Sequence, residues 1–163
     1  MKHYIAPTAL GAVSIAILYM TLVPAAQAAT CSTAKAAGDW GGTLTGTLIP
    51  PTGPVPGAAV GRVTADREGN ISGTEGRNVG GDFANETLTG MWAVNPDCTG
   101  TLTVNIYESG KLTRTSVLSI VFLDNLREAR LVQQSLTLPD GTTVPVVITV
   151  DFKRLFPNKG NEQ

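Results

Sequence analysis

The chain has 163 residues, with 12 Lys and Arg against 13 Asp and Glu, and a net charge of −1. That balance lacks the clustered positive charge of a nucleic-acid binder and the acidic tail of a solvating segment. The single histidine, His3, lies in a segment read below as removed. Without it, Ser-His-Asp and Cys-His catalysis in their usual forms and imidazole zinc sites are excluded, so a general base has to be Asp, Glu, Lys or Tyr.

The N-terminus has three parts. Lys2 and His3 are basic, residues 9–23 are apolar and end at Pro24, and Ala26-Gln27-Ala28 has small residues at the cleavage positions. This is the pattern of a secretory signal peptide cut after Ala28. The apolar run is short for a membrane span, which needs about 20 residues. Thr30 and Ala28 do not suit a lipidated Cys31. The expected divisions are a cleaved signal at 1–28, an N-terminal tail at 29–37 ordered only at Cys31, a β-barrel domain at 38–156 and a polar tail at 157–163. Loss of Lys2 leaves a mature charge of about −2. The mature protein is expected to be secreted or periplasmic. In such a compartment the only two cysteines, Cys31 and Cys98, form one bridge. Closing a loop of that length is worth roughly 4 kcal/mol at most.

Residues 41–49 read as a first strand, with Leu44 and Leu48 on one face and Thr43, Thr45 and Thr47 on the other. Residues 50–57 hold four prolines and read as an exposed loop. Residues 60–67 and 71–79 flank a turn at Glu68-Gly69-Asn70, with Gly69-Asn70 as its centre. The second of these strands, with Gly73, Glu75, Gly76 and Arg77, reads as weak, at an edge or bulged. After a turn at Gly80-Gly81-Asp82, residues 83–94 and 101–107 form a hairpin. Pairing Ala93 with Leu102 puts Met91, Val104, Thr89 and Ile106 on a core face, and Trp92, Thr103, Leu88 and Tyr107 on a half-wet face. A turn at Ser109-Gly110-Lys111 leads to residues 112–123, apolar on both faces and so expected to be covered on both. Residues 126–138 read as a strand, with a helix as rival through Leu126, Ala129, Leu131 and Val132. Pro139-Asp140-Gly141 is a turn, and residues 144–154 alternate as a last strand, with Val146, Ile148, Val150 and Phe152 on one face.

Eight strands in sequential antiparallel pairs imply an all-β fold: a single antiparallel up-and-down barrel, with a β-sandwich as the alternative. An interior of that size is either filled by side chains or holds one small ligand. An outer-membrane barrel fits poorly, because aromatics are scarce and several strands carry charge on both faces.

The run Val94-Asn95-Pro96-Asp97-Cys98-Thr99-Gly100-Thr101-Leu102, preceded by Gly90 and Trp92, resembles an uncharacterised family of exported bacterial small β-barrel proteins. Its shared pattern is G-x-[YW]-x-V-N-x-D-C-T-G-T, and the hairpin over 65–73 is similar to that group as well. A more distant resemblance is to calycin and allene-oxide-cyclase-like barrels, carried by Gly38-x-Trp40. It implies that Arg154 lies over that tryptophan.

Trp40, Trp92, Tyr107 and Leu88 are candidate ligand-contacting residues, against plain cross-strand packing. Glu86 and Glu108, on neighbouring strands, are a candidate carboxylate pair. Asp97 is suited to accept turn amides. Residues 127–130 read as surface ion pairs, and Asn70-Ile71-Ser72 and Asn85-Glu86-Thr87 match the glycosylation sequon. The leading functional reading is an exported barrel that binds a small apolar molecule, with no cofactor, metal, nucleic acid or mature membrane span. The alternatives are a filled-core structural or interaction module, oligomeric through its threonine-rich faces, and a cofactor-free isomerase or cyclase. The isomerase requires a carboxylate or tyrosine inside the barrel.

Overall fold

The computed structural model describes residues 30–156; the signal-peptide and C-terminal-tail assignments lie outside them. A short helix, α1 (Thr33–Ala36), precedes eight strands: β1 (Gly38–Leu48), β2 (Val55–Ala65), β3 (Asn70–Val79), β4 (Asp82–Val94), β5 (Thr99–Glu108), β6 (Lys111–Leu123), β7 (Glu128–Thr137) and β8 (Val146–Arg154). Each strand runs antiparallel to the next, and β1 pairs with β8, so the sheet closes as an up-and-down barrel. The sandwich alternative is thereby set aside. No helix among the described residues is long and apolar enough to cross a membrane.

Closure demands tight curvature at the β1–β8 seam, and two glycines supply it. An added Cβ on Gly42 would lie 2.1 Å from the Asp151 carbonyl oxygen, and one on Gly46 would lie 2.2 Å from that of Val147. Both glycines alternate in phase with Leu44 and Leu48, so β1 bends inward where it has no side chain to keep it off β8. Bulges between Ile106 and Tyr107, and between Val117 and Leu118, adjust the opposite wall.

One end is plugged. Trp40, Trp92 and Phe122 meet in three edge-to-face contacts with centroids 5.6–5.8 Å apart. Outside this trio sits α1, capped by Ser32, whose hydroxyl accepts the Lys35 amide. Trp40 Nε1 donates to the Ala36 carbonyl at 3.0 Å, and the Arg154 guanidinium lies 5.4 Å from the Trp40 ring centroid. Arg154 also donates to the carbonyls of Lys35 and Ala37, tying α1 to the end of β8. The Cys31–Cys98 disulfide fastens the other side of the plug, beside a hydrogen bond from the Cys31 amide to the Pro96 carbonyl. The segment expected as a tail ordered only at Cys31 is thus a structured lid, with Ala36 fully buried.

Two turns at this end share one design. At Asp66–Asn70 and at Asn95–Thr99, three residues bridge the strands, and the third is left-handed: Gly69 (φ 96°) in one, Cys98 (φ 67°) in the other. Asp66 Oδ1 accepts from Glu68 and Asn70. Asp97 Oδ1 accepts from the Thr99 hydroxyl and amide, which hold its carboxyl below the ordinary value. The extra residue corrects two expectations. Gly69-Asn70 is not a two-residue turn, and the β4–β5 register pairs Trp92, not Ala93, against Leu102. One step of register exchanges the faces. Trp92, Leu88, Leu102, Val104 and Ile106 point inward, while Met91 is 55% exposed.

Other expectations shift for related reasons. The proline run ends at Gly53-Pro54, because β2 already pairs with β1 at Val55 and Pro56. Pro56 lies at the rim before β3 joins, where a missing amide hydrogen breaks no ladder. β3 is neither an edge nor bulged, since it pairs along its length with β2 and β4. On β6, Leu118, Ile120 and Phe122 are buried, but Val121 and Leu123 face out and are exposed in this chain. The helix rival fails at its start. Asp124, Asn125 and Leu126 all have positive φ, and β7 follows.

Replacing both cysteines by serine is expected to cost up to about 4 kcal/mol and lower the thermal midpoint by roughly 10–20 °C. Cys31→Ser with Cys98→Gly is expected to recover about 1 kcal/mol, since glycine meets the left-handed position without strain. Calorimetry of the two variants checks both figures; equal midpoints contradict the strain argument.

Candidate functional site

Alternation along three strands sends charge into the barrel. β3 runs inward through Ile71, Gly73, Glu75 and Arg77, β4 through Ala84, Glu86, Leu88 and Trp92, and β6 through Arg114, Ser116 and Leu118. Glu75 and Glu86 stand directly opposite each other. Like charges in that position repel, and two guanidiniums resolve the conflict. Arg114 forks onto Glu86, with Nη1 donating to Oε1 at 2.7 Å and Nη2 to Oε2 at 2.8 Å; Nη2 also reaches Glu75 Oε1 at 3.0 Å. Arg77 donates through Nε to Glu86 Oε1 at 3.0 Å, through Nη1 to Asp82 at 3.1 Å and through Nη2 to Glu108 at 3.3 Å. The Glu86 side chain is 0% exposed, while those of Glu75 and Arg114 keep 11% and 20%.

The two carboxyls titrate apart. Burial raises Glu75, the Arg114 charge opposes this only in part, and the neighbouring Glu86 adds to it; the Glu75 carboxyl is pushed up to about 7. Burial acts upward on Glu86 too, but the hydrogen bonds and charges of Arg114 and Arg77 outweigh it and hold Glu86 below its ordinary value. The pair therefore holds a proton into the neutral range, on the Glu75 side.

This network forms one wall of a cavity of about 330 Å³ inside the barrel. Trp92 and Leu102 lie toward the plugged end, and Leu48, Val79 and Leu138 mark the opposite rim. The remaining lining is mainly aliphatic, contributed by every strand, with Ser116 and Gln133 as a second polar spot. Gln133 Nε2 donates to the Ser116 hydroxyl at 2.9 Å and to the Ser135 carbonyl at 3.0 Å. The volume falls at the lower end of the range for small-molecule sites.

Of the four residues singled out as ligand contacts, Trp92 and Leu88 line the cavity. Trp40 is wholly buried in the plug beneath it. Tyr107 pairs with the exposed Thr87 on the outer face. The indole N–H of Trp92 has no hydrogen-bond partner among the described residues. Glu86 does belong to a carboxylate pair, but its opposite number is Glu75; Glu108 joins only through Arg77, at the rim. Glu75, Arg77 and Arg114 were not singled out as site residues from the sequence. Strict alternation from Ile71 would have placed Glu75 and Arg77 inside, had the glycines of β3 not marked it as an edge. Among the described residues no group of three or more His, Cys, Asp or Glu is arranged to hold a metal ion.

No protein-family model matches this chain, and no curated protein matches it. A solved structure described as EF1p2_mFAP2b bound to DFHBI is similar over 76% of this chain and 98% of that chain, with a TM-score of 0.52 and 13% identity. At that identity the likeness shows a shared small β-barrel fold and nothing finer.

The titrations set how stability varies with pH. Glu75 has a folded value raised above its ordinary 4.5, so its contribution is full below pH 4.5 and is lost as pH rises through about 7. Glu86 acts in the opposite sense: its contribution is present above its ordinary value and is lost as pH falls below it. Urea unfolding is therefore expected to show stability falling between pH 5 and pH 8, by on the order of 2 kcal/mol. Glu75→Gln is expected to remove that fall. Glu86→Ala, which takes the buried partner from two guanidiniums and leaves Arg114 only Glu75 and Arg77 only the rim carboxylates, is expected to cost about 3 kcal/mol. A wild-type stability that is flat from pH 5 to 8 contradicts the Glu75 assignment.

Proposed function

We propose that this protein is an exported barrel that binds one small, mainly apolar molecule in its interior. The observation that carries the reading is the unfilled cavity of about 330 Å³, walled largely by aliphatic side chains and floored by Trp92. A barrel serving only as a scaffold gains stability from filling such a space, since voids lose packing contacts. The neighbour of like fold is described as bound to a small molecule, DFHBI, which is compatible with this use of the architecture. Trp92 and Leu88 are the proposed ligand contacts from the sequence; Trp40 supports the floor. Export is supported by the disulfide and by the signal-peptide pattern at the N-terminus. The outer wall carries threonines and charged residues such as Arg62, Arg130, Asp151 and Lys153, which suits water better than hydrocarbon. The reading retains the distant resemblance to calycin and allene-oxide-cyclase-like barrels, to which Arg154 over the Trp40 ring lends support.

A second reading keeps one specific observation. A cofactor-free isomerase needs an ionisable group inside the barrel, and the Glu75–Glu86 pair supplies one. Exchange of deuterium from solvent into a bound ketone at a rate lost in Glu75→Gln would support it.

Titration with the neutral probe N-phenyl-1-naphthylamine is expected to give saturable, one-to-one fluorescence enhancement, with energy transfer from Trp92. Val104→Trp, which thrusts an indole into the cavity, is expected to weaken binding at least about tenfold while circular dichroism stays that of a folded barrel. Binding that is absent in the folded wild type, or undiminished in Val104→Trp, contradicts an interior site.

A further inference from the structure

Inside the cavity two cations, Arg77 and Arg114, meet two anions, Glu75 and Glu86, and the further carboxylates, Asp82 and Glu108, stand at the rim. Both guanidiniums are already committed. Arg114 is forked on Glu86, and Arg77 is shared among three carboxylates. An anionic ligand would have to displace a carboxylate from one of them. A cation meets the opposite situation. Glu75 accepts from a single guanidinium nitrogen, through Oε1, and Oε2 has no basic partner. On β2, the strand on its other side, the residue paired with Glu75 is Gly61, which brings no side chain or charge to it.

We propose that the barrel cavity selects apolar amines, with the hydrophobic body among the aliphatic walls above Trp92 and the protonated nitrogen donating to Glu75. The proposal rests on the binding reading above and names the ligand class for that same cavity. The ammonium takes the place of the proton that Glu75 otherwise holds. Below neutral pH, binding therefore releases that proton to solvent: the Glu75 O–H bond breaks and an N–H···O contact forms to the carboxylate. The raised titration of Glu75 supports this order of events, since burial beside Glu86 leaves the carboxyl short of positive charge. The charged groups around it are Arg77 on its own strand, Glu86 on β4 and Arg114 on β6, while Asp82 and Glu108 stand beyond it as partners of Arg77.

Three compounds of one shape separate the outcomes: 2-(1-naphthyl)ethylamine, 2-(1-naphthyl)ethanol and 1-naphthylacetate, titrated into the wild-type protein by calorimetry. At pH 8 the amine is expected to bind about tenfold or more tighter than the alcohol, and the carboxylate weakest, as a charge-assisted hydrogen bond implies. At pH 5 the advantage of the amine is expected to shrink to about twofold, because the proton competes for the same oxygen. Glu75→Gln is expected to abolish the advantage of the amine over the alcohol at pH 8. The pH comparison on the wild type stands independently of whether that variant folds. Near pH 6, changing the buffer's ionisation heat is expected to reveal proton release with the amine and none with the alcohol. Equal binding of amine and alcohol at pH 8, tighter binding of the carboxylate, or an amine preference that survives in folded Glu75→Gln overturns the proposal while leaving an apolar-ligand barrel standing. Failure of all three compounds and of the neutral probe overturns the binding reading together with it.

Discussion

Pairing of β1 with β8 is the constraint on which everything else depends. Once the sheet closes, no strand has a free edge, and every residue lies either on one shared interior or on the outer surface. A charged side chain on the inner parity then has no solvent side to turn to. Glu75, Arg77, Glu86 and Arg114 come from three different strands, and closure turns them toward one another, with Asp82 and Glu108 reaching Arg77 from the rim. The same closure explains Gly42 and Gly46, where a Cβ would collide with the backbone of β8.

The two ends of the barrel have divided their work. At one, three aromatic rings, a four-residue helix, a stacked guanidinium and the disulfide make a rigid plug. The hairpin carrying Cys98 is part of that plug. Its left-handed cysteine shapes the turn and also fastens the lid, so a motif that looks like a functional centre in the sequence serves the architecture. The other end has no such cover among the described residues and is reached by the cavity at Leu48, Val79 and Leu138.

Stability is a weak reason for an ion network inside a barrel. Charges taken out of water cost several kcal/mol each, and replacing a buried ionic group by apolar side chains of similar size is often neutral or favourable. The plug shows that this chain packs aromatic and aliphatic residues well where it needs to. A polar wall beside an otherwise aliphatic cavity is better accounted for by what the cavity holds. Glu86 keeps the two guanidiniums in place, and that leaves Glu75 as the group with chemistry to spare.

Alternation, turn residues and the cysteine count determined much of this protein from the sequence alone: an all-β chain of eight strands, its order of hairpins, and the Cys31–Cys98 bridge. Those features depend on neighbours along the chain or on residue chemistry. The faces of β4 and β5 were not legible, because one left-handed residue at Cys98 shifts the register by a step and no local signal announced it. Nor was the site. Glu75 and Arg77 sit in a glycine-rich strand that by itself reads as an exposed edge, and Arg114 lies 39 residues from Glu75. Only tertiary structure decided that they meet. A closed barrel sets its inside by pairing between distant strands, and burial, charge balance and the titration of Glu75 exist only after that pairing is made.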